Sequence, residues 1–121
     1  MRAERGSVSV VVAAAIGMSL IVAMGTADVG RALIARSRAE VAADLAALAA
    51  AQELAVPSEN DPTALAADYA ARNGAHLVSC ACSPGASDAT VRVAVTVGGF
   101  LLPLPDRDVG AIARAVVDVP A

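Results

Sequence analysis

The chain has 121 residues; 57% are apolar, yet there is one Phe, one Tyr, no Trp, and a net charge of −3. That length holds one small domain plus a membrane segment, and a chain in which Ala supplies much of the apolar content builds a thin core that leans on partners. Residues 1 to 38 carry five Arg against Glu4 and Asp28, while residues 39 to 121 carry ten acids against four Arg, and this acidic remainder argues against a nucleic-acid partner, which needs a basic face.

The first element is an uncharged run from Ser7 to Ala27, closed by Glu4 and Arg5 on one side and by Asp28 and Arg31 on the other. As a helix it spans roughly 30 Å, the thickness of a bilayer core. Its small residues Gly17, Ser19, Gly25 and Thr26 suit close helix approach in lipid. A cleavable secretory signal is the competing reading, with Gly25-Thr26-Ala27 before the cut, and a generic anchor is a third. The run is longer than the ~7–15 residues of a signal core. The helical pattern also continues through residues 31–55, which hold no Pro or Gly and are rich in Ala, Leu, Arg, Glu and Gln. One helix from about Ser7 to Ala55, uncut or barely trimmed, is expected.

In its second half Ile34, Val41, Leu45 and Leu48 recur at spacings of 7, 4 and 3, one stripe of an amphipathic helix. Arg36 and Glu40 fall one turn apart. Ala43, Ala46, Ala47 and Ala50 form a small-residue face on which another helix can come close. Helix packing is therefore assigned to Ile34, Val41, Leu45, Ala47 and Leu48. Asp44 reads as a solvated face or as a partner for a neighbour's Arg.

Pro57 ends the helix and 57–63 is a polar linker. Asp61 is a good N-cap with Pro62 at the first helical position, so 63–72 reads as a second short helix stopped at Asn73-Gly74. Leu65 and Tyr69 are expected to face the core together. The period then changes to two. Residues 76–82 read as a strand, 83–88 as a turn and 89–97 as a second strand, with Val91, Val93, Val95 and Val97 on one face and Arg92 and Thr96 on the other. Residues 98–108 are a loop with two Pro, and 109–119 read as strand or helix, with the β-branched end favouring a strand. The expected fold is α+β: a single transmembrane helix continuous with a long Ala-rich helix, a short helix and a small three-stranded antiparallel sheet. It divides into 1–30 (tail and transmembrane helix), 31–56 (extramembrane part of the long helix) and 57–121 (a small head).

The segments "RGSVSVVVAAAIGMSL" at 5–20, "AEVAADLAALAAAQELA" at 39–55, "NGAHLVSC" at 73–80 and "ATVRVAVTV" at 89–97 resemble TadE/TadG-like proteins, notably short actinobacterial ones. The resemblance implies a pilin-like plan and a minor pilin or pseudopilin-like role in a Tad/Flp pilus or a related type II/IV-like secretion apparatus. It implies partners among other pilin-like or Tad platform proteins, and a single-pass protein of the cell membrane with its C-terminal domain outside the cytoplasm. Arg on both sides of the run leaves orientation undecided by charge. The family's processing site would fall between Gly6 and Ser7. The Glu expected five residues after the Gly is Val11 here, so Gly6 is expected to be a weak site or none.

Chemistry is sparse. Cys80 and Cys82 form a C-x-C, with His76 nearby. Two buried thiols, a disulfide between them, a bond to another subunit and a metal site all remain open. Four metal ligands are not in view, and a Cys-Cys bond within a strand needs distortion, because residues two apart share a side. No phosphate loop, nucleophile elbow or paired carboxylates occur. No enzyme activity, cofactor or small-molecule substrate is expected. The alternative to an assembly role is a membrane-anchored or secreted envelope protein with a ligand-binding or redox role through the C-x-C pair.

Overall fold

The structure, a computed structural model, describes residues 2–118. Helix α1 runs unbroken over Arg2–Ala55. It is followed by α2 (Pro62–Arg72) and strands β1 (His76–Ala81), β2 (Asp88–Val97) and β3 (Arg107–Val116). The strands form an antiparallel sheet in the order β1-β2-β3. Val119, the last residue expected of the third strand, lies outside the described residues.

Local chemistry accounts for the element ends. Asp61 caps α2 by accepting from the Thr63 N–H at 3.1 Å, and Pro62 opens the helix where an N–H has no partner to lose. Gly74 stops it with φ of 74°, a conformation that lacks a penalty only without Cβ. At the end of α1 the Glu53 carboxylate accepts from both the Ser58 N–H and the Ser58 hydroxyl, each at 2.6 Å, which fixes the turn at Pro57.

The sheet lies against the second half of α1, with α2 beside it. Strand β2 is central, and Val91, Val93, Val95 and Val97 are all buried while Arg92 and Thr96 are exposed, as the period-two pattern requires. Val91 and Val93 are the largest fully buried side chains. The rest of the core is largely Ala: Ala35, Ala39, Ala42, Ala43, Ala46, Ala47 and Ala50 of α1 meet Ala66 and Ala70 of α2 and Ala113 of β3 in one cluster.

Two expectations are corrected here. Leu65 and Tyr69 do not form the inner face of α2; Leu65 is half-buried and Tyr69 is 36% exposed, while Ala66 and Ala70 are inside. Tyr69 instead lies under the Arg72 guanidinium, 5.4 Å from its ring centre. The physical reason is distance. Ala against Ala lets α2 sit close on α1, and a Tyr in that seam would prise them apart. The Ala43, Ala46, Ala47 and Ala50 face is not free for a partner helix either. Ala47 is 1% exposed and the other three no more so, because the chain's own head fills that face.

Candidate functional site

Because the head covers one side of α1, its bulky residues are left on the other. Ile34 is 56% exposed, Val41 49%, Leu45 37% and Leu48 53%. At about 100° per residue these four fall within one narrow stripe, nearly opposite the middle of the buried Ala face. Ile16, itself exposed, lies 18 residues before Ile34, which is about five full turns. The stripe therefore continues straight into the uncharged run. Ala47, assigned to packing with this set, belongs to the opposite face and packs inside the chain.

The uncharged run itself touches nothing in the protein. Among the described residues one helix is long and apolar enough to cross a membrane, and none of its most apolar stretch is buried. Val8, Val10, Val11, Val12, Ile16, Met18, Leu20, Ile21 and Val22 are all exposed. In water that surface would be costly at about 25 cal/mol per Å², so lipid or other apolar helices are its natural surroundings. Gly6 and Ser7 lie inside α1, both exposed. The Arg36–Glu40 pair forms at 3.0 Å on the exposed surface, where such pairs contribute little.

Residues 6–53 match the family model described as "Putative Flp pilus-assembly TadE/G-like". This segment, less than half of the chain, is similar to that family. The match covers the uncharged run and nearly all of the helix that carries the stripe. It supports a component of Flp pilus assembly that works with other pilus components. With the apolar helix, it supports anchoring in a membrane. No curated protein and no solved structure matches the chain.

The end of the uncharged run holds a residue whose role the sequence does not reveal. In the sequence Asp28 is simply the charge that closes the run. It is 5% exposed. Its carboxylate accepts from the Leu101 N–H at 2.9 Å and the Leu102 N–H at 3.0 Å. One turn on, the Arg31 guanidinium donates to the Gly99 carbonyl. The loop between β2 and β3 is thus tied to the helix by both charges. The only sequence signal was an acid set directly against an apolar run, where an unpaired carboxylate is costly.

Cys80 and Cys82 are bonded to each other, and no cysteine is free among the described residues. The expected obstacle is avoided because β1 stops at Ala81, so Cys82 has left the strand. The two Cα atoms are 5.4 Å apart, within the usual range for a disulfide. His76 is exposed at the strand start. Among the described residues no group of His, Cys, Asp and Glu could hold a metal ion.

Proposed function

We propose that this chain is a pseudopilin-like, single-pass membrane component of a Flp/Tad pilus or a related secretion apparatus. It acts by assembly, not by catalysis. Its uncharged run crosses the membrane and its acidic head stands outside the cytoplasm. The observation that carries the reading is the stripe of Ile34, Val41, Leu45 and Leu48, left uncovered on a helix whose other side is packed tight. A solitary anchor gains nothing from an exposed apolar stripe beyond the membrane. A spine that bundles with other pilin-like helices does, since helices pack through such rows.

The test is cross-linking and co-purification from cells of the full chain carrying Leu48→Asp or Val41→Asp. Exposed positions absorb such changes within about 0.5 kcal/mol, so the variants are expected to fold as the parent does and to lose their pilin-like or Tad platform partners. Unchanged association in both folded variants overturns the stripe as the assembly surface. A reporter active only outside the cytoplasm, fused to the C-terminus, is expected to be active; a silent fusion reverses the orientation.

A further inference from the structure

The segment from Gly98 to Pro105, "GGFLLPLP", carries no charge and forms most of the connection between β2 and β3. Phe100 packs against the core, but Leu101 is 51% and Leu104 48% exposed. Two bulky side chains on a loop tip are a cost in water unless something covers them.

The position of the loop says what does. Asp28 is the residue immediately after the uncharged run, and it is Asp28 that holds the Leu101 and Leu102 amides. Arg31, three residues on, holds Gly99. The apolar loop is therefore pinned beside the point where α1 leaves its apolar surroundings. Arg31 lines a cleft together with Val97 and Gly98, roughly 6 Å along the helix axis from Ala27, within reach of lipid phosphates.

The N–H groups of the loop's tip, residues 101–105, are equipped for that place. A segment that enters a low-dielectric layer must satisfy its amides within the protein. Leu101 and Leu102 donate to Asp28. Leu104 donates to the Leu102 carbonyl at 2.7 Å. Pro103 and Pro105 have no N–H to satisfy. Every N–H from residue 101 to 105 is accounted for without water, which an ordinary surface loop has no need to achieve.

We propose that the loop from Gly98 to Pro105 is a second membrane contact, seating Leu101 and Leu104 in the interfacial layer of the bilayer that α1 crosses. The inference rests on the reading of residues 7–27 as membrane-spanning. It rests the base of the head on the membrane beside α1, and so fixes the tilt at which the α1 stripe meets a neighbour.

The chain has no Trp, so one introduced Trp is an unambiguous probe. The full chain carrying Leu104→Trp is reconstituted in phosphatidylcholine vesicles whose acyl chains are brominated near the headgroup. Val22→Trp, inside the run, and Val56→Trp serve as references; Val56 is 77% exposed just past α1, roughly 40 Å along the helix axis from Ala27. Emission of Leu104→Trp is expected to be blue-shifted and quenched as for Val22→Trp, with Val56→Trp unquenched. Leu101→Trp repeats the measurement should the first variant not fold. Quenching no greater than at Val56 overturns the inference, and protection that appears only when partner proteins are added assigns the loop to a protein contact and overturns it equally. If Val22→Trp is itself unquenched, the membrane-spanning reading fails and the inference falls with it, so the two failures are told apart.

Discussion

Asp28 and Leu102, 74 residues apart in the chain, are joined by a 3.0 Å hydrogen bond from the Leu102 N–H to the Asp28 carboxylate. With the matching bond from Leu101, it clamps the far end of the head to the base of the extramembrane helix. Replacing Asp28 with Ala leaves both amides without an acceptor. Fully buried donors left unpaired cost about 1–3 kcal/mol, and these two are part-buried, which sets the loss at the lower end. Asp28→Ala is expected to lose about 1 kcal/mol of stability and, more specifically, to speed amide hydrogen exchange at Leu101 and Leu102 while leaving the β2 amides of Val91 and Val93 slow. Unchanged exchange at 101 and 102 would show that the clamp holds nothing.

Ala47 offers a second measurement. It is 1% exposed beneath the head, so Ala47→Leu inserts three heavy atoms where there is no room. Overpacking of this kind costs about 1–3 kcal/mol. The expected outcome is a lower unfolding midpoint in the purified protein with no partner present. A midpoint equal to that of the parent contradicts the close packing of α1 on the head.

Glu53 gives a pH dependence with a definite sign. The Ser58 hydroxyl first, then the Ser58 N–H, hold its carboxyl below the ordinary range. A folded pKa below the unfolded one of about 4.3 means the contribution is complete above that value and is lost as the pH falls through the folded pKa. Glu53→Gln is therefore expected to be less stable than the parent at neutral pH and to converge with it in acid. The check is denaturant unfolding of both proteins across about pH 2 to 7, and a gap that widens on acidification contradicts the assignment.

Processing is read from the mass of the protein purified from its host membrane. With Val11 in place of the Glu that the TadE/G-like resemblance leads one to expect, cleavage after Gly6 is expected to be slow or absent. A start at Ser7 shows that Val11 is tolerated. A start at Asp28 shows that the run is a signal peptide, and the assembly reading falls with it, because the stripe then has no membrane helix to continue.

The elements of this protein were legible residue by residue because each is set by neighbours in the chain. The absence of Pro and Gly from 31 to 55 carries α1 on past the uncharged run. Asp61-Pro62 opens α2, Gly74 closes it, and alternating Val from 91 to 97 makes a strand with one buried face. The stripe of Ile34, Val41, Leu45 and Leu48 was also legible, but not which way it points. Periodicity marks the bulkier apolar face as the one to bury, and here the Ala face is buried, because a sheet and a second helix crowd one length of α1 and only Ala lets them come near enough to exclude water. Tyr69 stays outside for the same reason. Asp28 could not have been paired with Leu101 and Leu102 from the sequence at all. Its partners are backbone amides, which every residue but Pro possesses and which therefore leave no mark in the order of side chains. Only the return of β2 and β3 along the helix brings those amides to the one carboxylate at the end of the apolar run.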